Sequence, residues 1–386
     1  MDVVPYSRQS IDDADVAAVV ETLRSDFLTQ GPAVPRFEAA FVARHEIAHG
    51  VAVANATAGL HISCLALGLG PGDRLWTSPN SFVASANCAI YCGAEVDFVD
   101  IDPETRNMSV EALAAKLERA QREDRLPKIV VPVDFAGLPC DLEAMRELAD
   151  RYGFAILEDA SHAVGARFRG APVGSRYADI TVFSFHPVKI VTTGEGGLCA
   201  THSEALAERL RLLRSHGITR DPAAMSGPSD GPWYYEQVGI GFNYRLTDLQ
   251  AALGSSQLQR LETMHAAREQ RTRRYDDGLA ALPLRLPARF DDRQSAHHLY
   301  VVEIDEARSD VSRAALFARL RADGIGANVH YIPIHLQPFY RGLGFGPGDF
   351  PHAEQYYRRA VTIPLFPAMT DAEQDRVVES LGRALS

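Results

Sequence analysis

The chain has 386 residues, of which 46% are hydrophobic and 23% charged, a composition typical of a globular protein with a large core and a smaller second domain. Its formal net charge of −11 argues against a general nucleic-acid-binding surface, but it is compatible with a local basic pocket for a phosphate. No apolar run approaches the length of a membrane span and the N-terminus lacks a signal sequence, so we expect a cytoplasmic protein with neither membrane nor nucleic acid as partner.

The first predicted helix follows a short N-terminal arm. Apolar residues recur at helical spacing between residues 16 and 23, and either Ser10 or Asp12 can cap the helix that they predict. The sequence DFLTQGP, residues 26–32, then ends it.

A strand at residues 50–54 is predicted to lead through small residues, 55–59, into a second helix. Small residues at such a junction let backbone amides approach an anion at the positive end of a helix, and Thr57 adds a hydroxyl donor. We therefore expect a phosphate site here. The alternative is that Thr57 is a plain N-cap.

Further strands at residues 75–78, 96–99 and 129–133 alternate with helical stretches around 110–122 and 141–152. This alternation predicts a mostly parallel sheet with helices on both faces.

Two apolar runs, residues 154–157 and 180–183, are each followed by a polar residue that can take part in catalysis. The first ends at Asp159, and Lys189 lies just beyond the second, where an open α/β sheet places its active site. A lysine amine and a carboxylate match the two groups that a pyridoxal phosphate enzyme needs, for a Schiff base and for the pyridine nitrogen. Taken singly, Lys189 would be a solvated loop lysine and Asp159 a helix N-cap.

The C-terminal part begins with a long helix through Leu258, Leu261 and Arg268. Strands at residues 299–304 and 327–331, separated by a helix over about 311–322, predict a smaller α+β domain. We therefore divide the chain into residues 1–255 and residues 256–386.

Five cysteines lie scattered in apolar segments, without a Cys-x-x-Cys pair or a zinc-like spacing with histidine. His330 and His335 likewise lack a helix and further ligands, so no metal site is expected. The cysteines are predicted to be buried free thiols: Cys64, Cys88, Cys92, Cys140 and Cys199.

Three motifs, EDASHA at 158–163, SFHPVK at 184–189 and EGG at 195–197, resemble those of the sugar aminotransferases of the DegT/DnrJ/EryC1/StrS family. The resemblance runs from Tyr6 to about Pro367. It implies the α/β fold type I of pyridoxal phosphate-dependent transferases, like aspartate aminotransferase. In that fold a large domain with a mostly parallel central sheet carries a smaller C-terminal α+β domain.

The resemblance also implies roles for individual residues. Lys189 and Asp159 would be catalytic, with pyridoxal 5′-phosphate on Lys189 and pyridoxamine phosphate as the intermediate form. Phe82 would stack on the pyridine ring, and His162 would lie near the ring oxygen. The other implied cofactor contacts are Thr57, Ala58, Ser184, Asn243 and Arg245; the implied substrate contacts are Tyr6, Asp26, Phe27, Leu28, Thr29, Ala56, Ser184, Asn243, Asn328, Val329, His330 and Tyr331.

The motif at residues 241–252 acts, in the family, in the site of the neighbouring subunit, which implies a homodimer with shared sites. The implied reaction moves an amino group from L-glutamate to C4 of a UDP-linked 4-keto-6-deoxy-N-acetylhexosamine, as in pseudaminic acid biosynthesis. A related aminotransferase of the perosamine or 3-amino sugar type, with a GDP- or dTDP-linked substrate, is the alternative. A dehydratase or a non-catalytic regulator on the same fold fits less well, because the Schiff-base lysine is intact and no DNA-binding segment is added.

Overall fold

The computed structural model describes residues 3–385. Its helices alternate with strands along most of the chain, as the sequence predicts. No helix among these residues combines the length and the apolar character that a membrane span needs. The helices are α1 (Asp13–Leu23), α2 (Ala33–His45), α3 (Ala56–Ala66), α4 (Ala84–Tyr91), α5 (Val110–Arg122), α6 (Leu142–Tyr152), α7 (Glu204–Arg214), α8 (Asp248–Gln259), α9 (Leu261–Leu279), α10 (Arg313–Ala322), α11 (Pro338–Arg341), α12 (Pro351–Arg359) and α13 (Asp371–Leu385).

The strands form one large sheet and several small ones. They are β1 (His49–Val53), β2 (Arg74–Thr77), β3 (Glu95–Phe98), β4 (Ile129–Val131), β5 (Ala155–Asp159), β6 (Arg167–Phe168), β7 (Ala171–Pro172), β8 (Ile180–Ser184), β9 (Gly197–Thr201), β10 (Ile218–Thr219), β11 (Glu236–Gln237), β12 (Leu284–Arg285), β13 (Arg293–Gln294), β14 (Tyr300–Ile304) and β15 (Ala360–Ile363).

The large sheet has the strand order β1-β9-β8-β5-β4-β2-β3. Strands β8, β5, β4, β2 and β3 pair in parallel, which confirms the mostly parallel sheet expected from the sequence. Strand β9 runs antiparallel to both β1 and β8, and the sequence did not predict it as a strand. Because the parallel strands share one direction, their carboxyl ends meet at one edge, and this edge carries the site described below.

Several helix predictions need refinement at their ends. Asp12 caps α1 in a capping box with Asp15, whereas α3 is capped by Asn55, so Thr57 is not the N-cap. The long helix predicted through residues 258–268 is two helices that meet at Arg260. The Arg260 side chain pairs with Asp12 and Asp15, which ties this junction to α1.

The C-terminal part forms the sheet β12-β14-β15, with α10 and α13 packed against its apolar residues, and Val4 from the N-terminal arm joins this core. This agrees with the smaller α+β unit, while the boundary at residue 255 stays a prediction. The strand predicted at residues 327–331 is wrong: Asn328 alone bridges to Thr362. The next pair of that ladder does not form, because the carbonyl of His330 accepts the Tyr356 hydroxyl at 2.7 Å and the N–H of Ala360 donates to the carbonyl of Tyr356.

All five cysteines are free and buried, as predicted. Within residues 3–385, no group of three or more His, Cys, Asp or Glu side chains is arranged to hold a metal ion.

Candidate active site

A cavity of about 890 Å³ opens at the carboxyl ends of β5 and β8, a volume typical of a small-molecule site. Residues from widely separated parts of the chain line it, including both residues predicted to be catalytic. The predicted site residues in its wall are Tyr6, Ala56, Thr57, Ala58, Phe82, Asp159, His162, Ser184, Lys189, Asn328, Val329, His330 and Tyr331.

Asp159 is the last residue of β5, a strand that pairs with neighbours on both sides, and the residue is only 4% exposed. Its Oδ2 accepts a 2.6 Å hydrogen bond from the hydroxyl of Ser85, and its Oδ1 accepts one of 3.1 Å from the N–H of Ser161. The Ser85 hydroxyl is in turn 2.7 Å from that of Ser81. Both carboxylate oxygens are therefore held in place at the cavity wall.

Lys189 lies in the loop after β8, with its backbone N–H bonded to the carbonyl of His186 at 2.8 Å. The preceding carbonyl, of Val188, accepts a 3.2 Å hydrogen bond from Ser7, so the N-terminal arm supports this loop. Burial lowers the pKa of Lys189 to about 8, although the charge of Asp159 works in the opposite direction. A useful fraction of the amine is therefore neutral near pH 8.

The start of α3 faces the same cavity. Oδ1 of Asn55 accepts the N–H of Ala58 at 2.8 Å, while the N–H groups of Ala56 and Thr57 precede the first intrahelical bond. Gly197 makes this arrangement possible, because a Cβ there would lie 2.7 Å from the Ala56 nitrogen. Two amides, the Thr57 hydroxyl and that of Ser184 form a donor set that suits a phosphate.

His162 and Tyr331 connect the two parts of the chain across the cavity. Nδ1 of His162 accepts the N–H of Ala136 at 3.3 Å, so the ring proton is on Nε2, which lies 3.1 Å from the Tyr331 hydroxyl. Burial, with the nearby Lys189 and His330, keeps the pKa of His162 well below its usual value. His162 is therefore neutral and donates to Tyr331.

The sequence reasoning missed several residues in this wall. Ser81 and Ser85 follow β2, one helical turn apart, and their position after a strand end was the available signal. His298 is 2% exposed and its ring centroid is 4.5 Å from that of His162. No local pattern indicated it, because it comes from the C-terminal part of the chain.

Six predicted contacts do not line the cavity of their own chain. Thr29 bridges to Thr247, Asn243 bridges to Ser215, and Phe27 is 52% exposed. These segments thus lie beside each other on the outside of the large domain, and their roles stay predictions. The six residues are Asp26, Phe27, Leu28, Thr29, Asn243 and Arg245.

Pyridoxal phosphate fits the residues that are present. The cavity offers the amine of Lys189, the buried carboxylate of Asp159 with a hydrogen bond to each oxygen, and the hydrogen-bond donors for a phosphate at the start of α3. Phe82 adds an exposed aromatic face in the same cavity, 6.5 Å from the Tyr331 ring. This combination matches what the cofactor requires at its aldehyde, its ring nitrogen, its phosphate and its ring face.

Comparisons with known proteins extend the resemblance to nearly the whole chain. A family model for the DegT/DnrJ/EryC1/StrS aminotransferases matches residues 9–382. The spore coat polysaccharide biosynthesis protein SpsC of Bacillus subtilis is 40% identical over 381 residues, which cover 98% of this chain and 96% of SpsC.

Solved structures resemble the whole chain. Helicobacter pylori PseC, an aminotransferase involved in the biosynthesis of pseudoaminic acid, matches with a TM-score of 0.90 and 28% identity, over 100% of this chain and 99% of PseC. Spr1654 from Streptococcus pneumoniae matches in its PMP-form with a TM-score of 0.89 and 29% identity, over 99% of this chain and 98% of that one. The PLP-form of Spr1654 is similar to the chain as well.

Proposed function

We propose a substrate and an amino donor for this chain, which belongs to the DegT/DnrJ/EryC1/StrS aminotransferase family. On this proposal, the protein moves an amino group from L-glutamate to C4 of a UDP-linked 4-keto-6-deoxy-N-acetylhexosamine. Membership makes the protein a sugar aminotransferase with the predicted transferase fold, and pyridoxal phosphate is its cofactor. The donor, the nucleotide, the sugar and the carbon that is aminated are the proposal.

The convergence of Lys189 and Asp159 at one cavity carries the proposed chemistry. Bound pyridoxal phosphate supplies an electron sink for the charge left when a proton leaves the donor Cα. Asp159 is buried and fixed by Ser85 and Ser161, so its carboxylate keeps a proton on the pyridine nitrogen. Lys189, with a pKa lowered to about 8, removes the proton from the donor Cα. In the second half of the reaction, the same amine delivers a proton to C4 of the sugar.

The other wall residues bind and orient. The amides of Ala56 and Thr57 would hold the cofactor phosphate, and Phe82 would pack against its ring. Neutral His162 donates from Nε2 to Tyr331, which fixes the segment 328–331 over the cavity without adding a charge. That segment is where we place the keto-sugar.

Similarity to PseC supports the proposed sugar, because the match covers the chain end to end and PseC is involved in the biosynthesis of pseudoaminic acid. The 40% identity to SpsC favours a second candidate, a related nucleotide sugar of the perosamine or 3-amino type that is destined for another polysaccharide. The two candidates share the cofactor chemistry; they differ in the nucleotide and, for the 3-amino type, also in the carbon that is aminated.

We further propose a homodimer in which Asn243 and Arg245, with residues 26–29, enter the cavity of the partner subunit. Family members are typically dimers, and these residues lie outside the cavity of their own chain. The exposed Phe27 and Leu28, at 52% and 46%, suit a surface that a second copy covers.

Turnover of a panel of UDP-, GDP- and dTDP-linked keto-sugars with L-glutamate tests the substrate, with the new amine located by NMR. The proposal predicts fastest turnover of the UDP-linked 4-keto-6-deoxy-N-acetylhexosamine and an amine at C4. Preference for a GDP- or dTDP-linked sugar, or an amine at C3, would favour the second candidate. No transfer to any member of the panel would contradict both.

A further inference from the structure

A second cavity, of about 530 Å³, lies where the large sheet ends at strand β3. Its wall combines β2, β3 and α5 with the end of α4 and with Leu343 and Phe345 from the C-terminal part of the chain. Among the described residues, none lines both this cavity and the active-site cavity. The second cavity is therefore a separate feature, and the proposed transamination does not use it.

The edge of the sheet in this cavity is closed to a further strand. Strand β3 has a neighbour on one side only, and the N–H groups at positions 95 and 99 pair on that side, so the backbone groups of Phe98 face the open side. Side chains already occupy both of these groups. Oδ1 of Asp97 accepts the Phe98 N–H at 2.7 Å, and Nζ of Lys116 donates to the Phe98 carbonyl at 2.5 Å. The cavity thus suits a small molecule better than an extended peptide.

Two acidic side chains in the wall are paired with basic ones. Oδ2 of Asp97 lies 2.7 Å from Nζ of Lys116, and Oε2 of Glu95 lies 2.9 Å from Nε of Arg74 and 3.6 Å from Nη2 of Arg125. Three basic groups thus face two carboxylates. This part of the wall keeps one positive charge in excess.

The cavity also contains polar groups without a partner. Arg119 and Glu123, one helical turn apart, line it, and neither forms an ion pair within residues 3–385. The indole N–H of Trp76 has no hydrogen-bond partner, although the residue is only 2% exposed, and Nζ of Lys116 lies 4.9 Å from the centre of its ring. A buried donor without a partner is unfavourable, and an oxygen atom of a ligand would satisfy it.

We propose that this cavity binds an organic anion, a molecule with one phosphate or carboxylate group and an apolar ring or chain. The acid group accepts the Trp76 N–H and pairs with Arg119, while the apolar part packs against Leu343 and Phe345. Glu123 lies in the same wall and repels the ligand, so it limits the affinity. The inference is independent of the sugar that the enzyme aminates.

The experiment follows the indole N–H signals by NMR in holoenzyme that contains ¹⁵N-labelled tryptophan. The chain has two tryptophans, and Trp233, 69% exposed and outside both cavities, is the internal control. Trp233→Phe assigns the two signals. Titration with phenyl phosphate should move the Trp76 signal saturably and downfield, because its N–H gains an acceptor, and should leave the Trp233 signal in place. Trp76 does not line the active-site cavity, so phenyl phosphate bound there does not produce this shift.

Two further ligands distinguish the sources of the binding. Phenylacetate carries a carboxylate in place of the phosphate, so its affinity relative to phenyl phosphate shows which acid group the cavity prefers. Inorganic phosphate has no apolar part and should bind at least roughly tenfold more weakly than phenyl phosphate. Equal affinity for inorganic phosphate and phenyl phosphate would contradict an organic ligand.

Matched variants of α5 test the charged part of the wall. Arg119→Gln should weaken the binding of phenyl phosphate by about tenfold, because it removes a charge-assisted hydrogen bond. Arg122→Gln, on the same helix but outside the wall, is the control and should leave the affinity unchanged, whereas Glu123→Gln should raise it. All three residues are exposed, so these exchanges leave the core intact.

Three results would overturn the proposal. They are a Trp76 signal that does not respond to either organic anion, equal shifts of the Trp76 and Trp233 signals, and the same affinity in Arg119→Gln as in Arg122→Gln. The first two are read on the unaltered chain.

Discussion

The hydroxyl of Ser85 donates a 2.6 Å hydrogen bond to Oδ2 of Asp159 and thereby joins helix α4 to the end of strand β5. The N–H of Ser161 occupies Oδ1 of the same carboxylate at 3.1 Å. Because Ser85 belongs to helix α4 and Ser161 lies in the turn directly after β5, the carboxylate cannot turn away from the cavity without losing a hydrogen bond. Asp159 is thus preorganised to meet a positive charge in the cavity.

Replacing Asp159 by Asn keeps the shape and removes the charge. The amide cannot hold a proton on the pyridine nitrogen, so transamination should fall by about a hundredfold or more, roughly 2–3 kcal/mol in the barrier. The variant should still bind the cofactor through Lys189 and keep its visible absorbance. Ser85→Ala, which keeps the carboxylate, should cost far less, on the order of 1 kcal/mol. Near-normal turnover by Asp159→Asn would show that another group protonates the ring.

Lys189 should be the lysine that carries the cofactor. Borohydride reduction of the holoenzyme followed by peptide mass spectrometry should find the pyridoxyl group on Lys189, because its amine lies in the cavity with a pKa lowered to about 8. Two other lysines serve as internal controls, since Lys116 pairs with Asp97 at 2.7 Å and Lys128 with Asp73 at 2.9 Å. Lys128→Arg should keep the label and Lys189→Arg should lose it. Labelling of Lys116 or Lys128 would refute the assignment.

Much of the site could be predicted because its chemistry is local in sequence. Asp159 and Lys189 each follow a buried run, and the parallel sheet brings the two strand ends together. The only signal for Ser85 was its position after a strand end, and no local pattern reveals His298, which reaches the cavity from the C-terminal part of the chain. The strand predicted at residues 327–331 has suitable residues, but the carbonyl of His330 accepts the Tyr356 hydroxyl instead of a strand partner. Strand β9, Gly-Leu-Cys-Ala-Thr, contains too few residues with high strand propensity to be recognised.

The change of stability with pH should depend on Asp134, which is fully buried close to Asp159 and Glu158. Burial, with the charge of Asp159 adding to it, raises the pKa of Asp134 from 3.8 to about 7. Between these values the folded protein binds more protons than the unfolded chain, so the free energy of unfolding falls as pH rises through this window. Asp134→Asn should flatten that fall, because a neutral amide oxygen can still accept the N–H of Cys140.

Urea unfolding midpoints measured between about pH 4 and about pH 7 test this expectation. Replacement of an exposed acidic residue, Glu123→Gln, is the control and should leave the dependence of the unfolding midpoint on pH unchanged. If Asp134→Asn and Glu123→Gln give the same dependence on pH as the unaltered protein, Asp134 does not take up a proton on folding.

If the active site is shared between subunits, as we propose, a mixed dimer should recover activity that neither chain has alone. Asn243 is exposed and Arg245 lies outside the cavity of its own chain, so on our proposal both act in the partner. Chains with Lys189→Ala and chains with both Asn243→Ala and Arg245→Ala should each be inactive alone. In a mixed dimer, one cavity combines an intact lysine with an intact segment from the other chain. After exchange, half of the dimers are mixed and each has one complete site, so roughly one quarter of the unaltered activity should return.

A second mixture provides the control for this complementation. Lys189→Ala and Asp159→Asn both alter the wall of the same chain's cavity, so their mixed dimers contain no complete site and should gain nothing above the residual rate of Asp159→Asn. Exchange itself can be followed by mass spectrometry of the intact dimers. If subunits exchange in both mixtures and the first recovers no more activity than the second, Asn243 and Arg245 do not reach across. Residues 241–252 then serve their own chain, and the substrate must be held by the segment 328–331 and the N-terminal arm alone.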